Sequence, residues 1–444
     1  MQDDGGSIRA FDGELEVPSD KSISHRALMM ASMAEGTSRL EHVLNSRDVR
    51  STLECLRELG AQVDVLRMDD MSFDALVTGW GRRGPRTPDA PLDCGNSGTT
   101  TRLLLGMLAG YDIEATLVGD SSLERRPMRR VVKPLTQMGA RFTKDGAAWD
   151  GEEVTLPLTV HGTSSLQGIE YDSPTASGQV KGSLLLAGLN AAGTTVLTEP
   201  YLSRNHSELM LPAFGVDVDA NTLHYIVSIE GGQSLHACDV RVPGDPSSAM
   251  FIAVAAALVP GSDVTIHNLG LNPTRTAGLD VAMRMGCDIE MEETALVGGE
   301  PIGDVRIRYA PALEAVHVQP AEIPALIDEI PALSLLATVA GGTTVFEGVQ
   351  ELRVKESNRL AAVVSGLTEL GCTAREEGDD LVIEEGAPEE DETLDPHGDH
   401  RLAMTWVLAN RCFGLDGDVL DTACIDVSYP NFIAQLDALQ QPQE

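Results

Sequence analysis

The sequence predicts an α/β fold built from six copies of one mixed helix-and-strand unit, arranged three and three in two similar domains. Three observations carry that expectation. An Ala- and Leu-rich stretch, a glycine stop and a short β-rich run recur along the chain, with reference glycines at 36, 110, 193, 261, 342 and 414, a period of roughly 75 residues. A second signature, a helix ending in glycine and leading into a strand, recurs at Leu59-Gly60, Met138-Gly139, Phe214-Gly215, Met285-Gly286 and Leu370-Gly371, where glycine suits a left-handed C-cap. Two Pro/Gly-marked crossings, Val17-Pro18-Ser19 and Val242-Pro243-Gly244-Asp245, divide the six units into two groups of three.

Taken in order, the units turn at Ala34-Glu35-Gly36, Leu108-Ala109-Gly110, Ala192-Gly193, Val259-Pro260-Gly261, Ala340-Gly341-Gly342 and a degenerate Phe413-Gly414. β-rich runs such as Thr194-Thr195-Val196-Leu197 and Thr343-Thr344-Val345 follow the stops. Repeats this long that mix both element types are not solenoid turns, so their copies are expected to assemble into α/β domains. A chain of 444 residues also exceeds what one core usually organises. The expected domains are residues 19–241 and residues 1–18 plus 242–444, with an active site in the inter-domain cleft.

Composition narrows the function. A formal charge of −36 repels nucleic acid backbones, and no apolar run approaches a membrane span, so neither nucleic acid nor membrane is an expected partner. The start Met1-Gln2-Asp3-Asp4 lacks the basic and apolar segments of a secretory signal, which points to the cytoplasm. Cysteines at 55, 94, 238, 287, 372, 412 and 424 form no Cys-x-x-Cys pair, and no His-Glu-x-x-His occurs. Free thiols are therefore expected, with no metal and no cofactor. Only Lys21, Lys133, Lys144, Lys181 and Lys355 are lysines among 32 basic residues. Such an acidic, lysine-poor balance resembles cytoplasmic proteins of salt-accumulating halophiles, where cations screen self-repulsion. A monomer is the default expectation.

One motif is a decoy. Gly79-Trp80-Gly81-Arg82-Arg83-Gly84 matches the dinucleotide fingerprint, but Pro85 and Pro88 follow instead of a helix, so it reads as a solvated turn. Two helix openings carry more. In Ser19-Asp20-Lys21-Ser22-Ile23-Ser24-His25-Arg26 a capping residue precedes Lys21, Ser22 and Arg26, which suits an anion at a helix N-terminus; a capped helix with surface cations is the alternative. In Asp93-Cys94-Gly95-Asn96-Ser97-Gly98-Thr99-Thr100-Thr101-Arg102, small residues let backbone amides approach a ligand, and the hydroxyls and Arg102 favour an oxyanion; a tight turn is the alternative. Cations cluster again at Arg125-Arg126-Pro127-Met128-Arg129-Arg130, at Arg353 through Arg359, and at Asp399-His400-Arg401, which implies a substrate with several negative charges. Leu326-Ile327-Asp328-Glu329-Ile330-Pro331 sets carboxylates in an apolar helix-forming stretch, where one could serve as a desolvated base or lie on an exposed face.

In this order the motifs resemble the enolpyruvyl transferase family over essentially the whole chain. The hallmark segments are Pro18 to Arg26, Gly95-Asn96-Ser97-Gly98-Thr99, Arg126-Pro127-Met128, Gly244-Asp245-Pro246-Ser247-Ser248-Ala249, Arg353 to Leu360, and Asp399-His400-Arg401. The resemblance implies two domains of three βαβαββ units each. It is to the branch that moves the enolpyruvyl group of phosphoenolpyruvate to shikimate 3-phosphate without a metal. By the matching motifs, Lys21, Ser22, Arg26, Ser177, Gln179, Arg204 and Lys355 would hold shikimate 3-phosphate, and Asp328 would meet its reacting hydroxyl. Lys21, Asn96, Gly98, Arg126, Gln179, Arg359 and Arg401 would bind phosphoenolpyruvate, with Glu356 beside the protonated carbon. Asp328 is the implied base, and Lys21 or Glu356 the implied proton donor. Gly178 stands where many members have Ser or Ala, Leu103 where some have Pro, and Val427 where some have a phosphate-contacting Lys. The alternatives are the sister activity on UDP-N-acetylglucosamine, which normally carries Lys-Asn where this chain has Lys21-Ser22, and a non-catalytic scaffold for anions.

Overall fold

The computed structural model describes residues 8–441, so the acidic start at residues 1–4 lies outside the described residues. Contacts divide the chain into two compact units. One contains residues 19–242 with 296–300; the other contains residues 243–295 and 301–444 with the segment that ends at Pro18. Among the described residues no helix is long and apolar enough to cross a membrane.

Five sheets share one strand order, in which a short edge strand runs parallel to its neighbour and two antiparallel strands follow. The clearest copy reads strand Leu92–Asp93, helix Gly98–Ala109, strand Glu114–Val118, helix Arg129–Met138, then strands Arg141–Lys144 and Leu158–His161. That is βαβαββ. Three such sheets lie in the first unit, centred on Thr37–Leu44, Glu114–Val118 and Thr194–Thr198. The second unit has sheets centred on Asp263–Gly270 and Thr343–Phe346. Its last copy is reduced to a parallel bridge between Leu394 and Val419 around helix His400–Phe413. Strand Asp12–Leu15 pairs with Asp263–Gly270 and strand Val240–Arg241 with Thr37–Leu44, so each Pro/Gly-marked crossing follows a strand that completes the other group's first sheet.

The glycines behave as their positions require. Gly60, Gly139, Gly215, Gly286 and Gly371 all take positive φ at helix C-termini, between +81° and +115°. Of the reference glycines, five are left-handed and Gly110 alone is not, with φ of −90°. The decoy glycines form a 3-10 turn at Gly81–Arg83, as expected, yet the segment is not simply solvated. Trp80 is buried, and a Cβ on Gly79 would lie 2.2 Å from the Ala34 carbonyl, so Gly79 is fixed by packing on a helix end.

Each unit is centred on three helices that are buried nearly all round. They are Lys21–Met33, Gly98–Ala109 and Gly178–Gly188 in the first unit, and Pro246–Leu258, Ile330–Val339 and His400–Phe413 in the second. A Cβ on Gly106 would lie 2.1 Å from the Ser183 carbonyl, so glycine is what lets two of these helices touch backbone to backbone. All six open on a polar residue: Asp20, Ser97, Ser177, Asp245, Glu329 and Asp399. The fold thus gathers caps, exposed amides and dipoles at the starts of its buried helices.

Candidate functional site

In the first unit, the starts of the three helices are cross-linked by side chains. Asp20 accepts from the Ile23 amide (2.8 Å), Ser97 from Thr100 (3.1 Å) and Ser177 from Val180 (3.4 Å). Arg26 is buried and spends all three nitrogens: Nε donates to Ser207 Oγ (2.8 Å), Nη1 to the Ser22 carbonyl (3.0 Å) and Nη2 to the Gly178 carbonyl (3.0 Å). Arg102 donates to Gln179 Oε1 (2.8 Å) and to the Pro127 carbonyl (3.1 Å), while Gln179 donates to Thr99 Oγ1 (3.0 Å). Asn96 donates to Asp120 (2.7 Å) and accepts from Arg126 Nη2 (2.5 Å). Lys21 Nζ lies 3.3 Å from Asp48 Oδ2, at the start of the neighbouring helix Arg47–Glu58.

Two buried polar systems support this cluster. Lys181 sits 2.8 Å from Glu199 and 3.3 Å from Glu208, and Glu199 accepts from the Ser177 amide (2.8 Å) and the Ser203 hydroxyl (2.7 Å). Burial holds the Glu208 carboxyl above its usual range, and Lys181 offsets only part of that rise. The other system is a chain: His25 Nδ1 meets Thr52 Oγ1 (2.7 Å), Thr52 meets Thr100 Oγ1 (2.6 Å), and Thr100 donates to the cap Ser97 (2.7 Å). Burial, then the nearby charges of Lys21 and Arg26, hold the His25 imidazole well below its usual range, so it stays neutral.

In the second unit the charges are denser. Asp328 Oδ1 lies 3.0 Å from Arg359 Nη1 and 3.2 Å from Lys355 Nζ, and its carbonyl accepts from Arg401 Nη1 (3.2 Å). Arg359 is fully buried and also donates to Asp399 (2.7 Å) and, very closely, to Glu356. Burial alone would lower the Arg359 pKa, but Asp399, Glu356 and Asp328 together raise it, so it is a permanent cation. Asp399 in turn caps helix His400–Phe413 through the Arg401 amide (3.0 Å) and accepts from Ser357 (3.1 Å).

The residues named from sequence therefore fall into two groups. Lys21, Ser22, Arg26, Asn96, Gly98, Arg126, Ser177, Gln179 and Arg204 gather at the helix starts of the first unit. Asp328, Lys355, Glu356, Arg359 and Arg401 gather in the second. A Cβ on Gly98 would lie 2.5 Å from Arg102 Nη1, so a side chain there would displace the Arg102 tip. The departure at Gly178 has a local counterpart: a Cβ there would lie 2.9 Å from the Arg204 carbonyl. Leu103 is buried, and a Cβ on Gly182 would lie 2.9 Å from its Cδ2; Val427 ends a 3-10 helix.

Sequence reading missed the supporting shell. Asp48, Asp120, Glu199 and Lys181 hold Lys21, Asn96 and Ser177, yet none sits in a recognisable motif. Lys181 did carry one signal, being one of five lysines in 444 residues. Asp399 lay inside a quoted segment without an assigned role, while Arg102, expected from sequence to favour an oxyanion, donates to Gln179 and the Pro127 carbonyl.

The chain was compared with known proteins. A family model described as EPSP synthase (3-phosphoshikimate 1-carboxyvinyltransferase) matches residues 7–436. A 3-phosphoshikimate 1-carboxyvinyltransferase of Xanthomonas campestris pv. campestris is 45% identical over 423 residues, 95% of this chain and 93% of that protein. One from Alkalilimnicola ehrlichii is 45% identical over 97% of this chain and 93% of its own. Among solved structures, EPSP synthase from Acinetobacter baumannii superposes with a TM-score of 0.84 at 37% identity, covering 98% of this chain and 96% of the other.

Proposed function

This chain belongs to the EPSP synthase family, and from that premise we propose that it acts on phosphoenolpyruvate and shikimate 3-phosphate. The enzyme transfers the enolpyruvyl group to the 5-hydroxyl of shikimate 3-phosphate and releases phosphate. The observation that carries the assignment of roles is Asp328, whose Oδ1 is held by Lys355 and Arg359 beside Glu356.

Lys21, Ser22, Arg26, Ser177, Gln179, Arg204 and Lys355 hold shikimate 3-phosphate, with helix-start amides and cations matched to its charges. Lys21, Asn96, Gly98, Arg126, Gln179, Arg359 and Arg401 receive the carboxylate and phosphate of the donor. An anionic donor on Arg359, and the phosphorylated acceptor on Lys355, would offset part of the positive charge that faces Asp328. The 5-oxygen then adds to C2 of phosphoenolpyruvate while its proton passes to Asp328, and C3 gains a proton from Lys21 or Glu356. Loss of a proton from C3 with departure of phosphate from C2 regenerates the double bond and leaves the enolpyruvyl ether. Fixed arginines neutralise the charge that builds on carboxylate and phosphate, and because they are already paired and packed they need little reorganisation.

Phosphate release is the test. Purified protein should release phosphate from phosphoenolpyruvate only when shikimate 3-phosphate is present. Release driven by UDP-N-acetylglucosamine would select the sister activity, and no release with either acceptor would leave only an anion-binding scaffold.

A further inference from the structure

Among the segments that mark the family, Gly244-Asp245-Pro246-Ser247-Ser248-Ala249 has no part in the roles above, yet the structure builds it into a buried polar chain. Arg275 is 2% exposed, and its Nη2 donates both to Asp245 Oδ1 (2.6 Å) and to Ser247 Oγ (2.9 Å). Asp245 also accepts from the Ser247 amide (2.8 Å), capping helix Pro246–Leu258. Since the Ser247 oxygen accepts from Arg275, its hydrogen is left to point at Glu329 Oε1, with which it makes a very close contact. The chain thus has one polarity, from Arg275 through Ser247 to Glu329. Glu329 is 1% exposed, so the chain does not end in solvent.

Space for Glu329 is also reserved. A Cβ on Gly278 would lie 3.0 Å from Glu329 Cγ and 3.1 Å from its Cβ, so only glycine there leaves the side chain undisturbed. Glu329 follows Asp328 directly, and the peptide between them is pinned on both sides: its N–H donates to the Leu326 carbonyl (2.9 Å) and its C=O accepts from Arg401 (3.2 Å). Clamping the Glu329 side chain adds a third restraint to the same peptide, the one from which the Asp328 carboxylate projects.

We propose that Glu329, held by Ser247 and Arg275, is a positioning residue that fixes Asp328 for proton abstraction; the proposal rests on the reading of Asp328 as the base. Burial alone would suggest a role in stability, although buried ionic groups are often dispensable for it. The placement beside Asp328 separates the two. A misplacement of 1 Å can cost about 100-fold in rate, so Glu329→Ala lowers kcat about 10- to 100-fold and leaves KM for both substrates within about twofold. Glu329→Gln restores most of the rate, because its amide oxygen still accepts from Ser247.

The deciding experiment is a double-mutant cycle with Asp328→Asn, read as kcat beside the melting temperature of each variant. If Glu329 acts through Asp328, Glu329→Ala has no further effect once the base is gone. An equal factor in both backgrounds, or an unchanged kcat with only a lower melting temperature, overturns the positioning role. Near-normal kcat in Asp328→Asn alone overturns the base reading instead, so the two failures are distinct. Should Glu329→Ala fail to fold, Ser247→Ala breaks the same link and is read in the same two backgrounds with the same criteria.

Discussion

Replacing Gly98 by alanine probes the donor side of the site through one well-defined collision. The added Cβ would lie 2.5 Å from Arg102 Nη1 and 3.6 Å from Arg126 Nη1. To regain an ordinary separation of about 3.5 Å, the Arg102 tip must retreat by about 1 Å. It is the flexible end of a side chain and can do so, but it then loses the 2.8 Å bond that fixes Gln179 Oε1. A hydrogen bond to a charged group contributes about 1.5–3 kcal/mol, and 1.4 kcal/mol is tenfold in affinity. KM for phosphoenolpyruvate should therefore rise about 10- to 100-fold. Alanine is a better helix former than glycine by about 1 kcal/mol, which offsets only part of that lost bond, so the melting temperature should fall modestly. Steady-state rates at saturating shikimate 3-phosphate with phosphoenolpyruvate varied give the answer. An unchanged KM for phosphoenolpyruvate would refute the argument from Arg102 and Gln179.

Three other outcomes follow from named features. Gly106→Ala sets a methyl 2.1 Å from the Ser183 carbonyl and should cost about 1–3 kcal/mol of stability by overpacking, read from urea unfolding; an unchanged midpoint would contradict the close helix contact. His25 is neutral in the fold, while the unfolded chain takes up a proton near pH 6.5, so its share of stability is constant above that pH and falls below it by up to about 1.4 kcal/mol per pH unit. His267, whose pKa is raised chiefly by its hydrogen bond to Asp304, acts with the opposite sign and loses its contribution as pH rises through the raised value, so the slope must be read as the difference between parent and His25→Asn. An equal slope in the two proteins would show that His25 is charged when folded. Finally, with a net charge of −36 the melting temperature should climb with KCl, and a flat response would remove the case for screening.

The fold was legible because its repeat is written in backbone-demanding residues. Glycines at helix ends mark left-handed caps that no other residue adopts cheaply, and all five of the second signature take that conformation. The units with weak marks were less legible: Gly110 needs no positive φ, and the last copy keeps a bridge where the others keep a sheet. For the candidate site, residues within one segment were readable, because caps and cations share a few positions of sequence. Lys355, Glu356 and Arg359 are such a set, and the structure does bring them to Asp328. Partners far apart in sequence were not readable. Nothing around Ser247, Arg275 or Glu329 announces that they meet, and Glu199 reaches Ser177 from 22 residues away. The Gly79 decoy misled in a smaller way, since a pattern of glycines cannot say whether they face solvent or a helix end.

The central claim is that Asp328 takes the proton from the acceptor hydroxyl. Asp328→Asn keeps the shape and one oxygen near Lys355 and Arg359 but cannot take up a proton at neutral pH. Its kcat should fall by about 10²- to 10⁴-fold, while KM for phosphoenolpyruvate, whose binding is proposed to rest on Arg126, Arg359 and Arg401, changes little. Near-normal kcat in Asp328→Asn would contradict the claim and pass the role of base to Glu356.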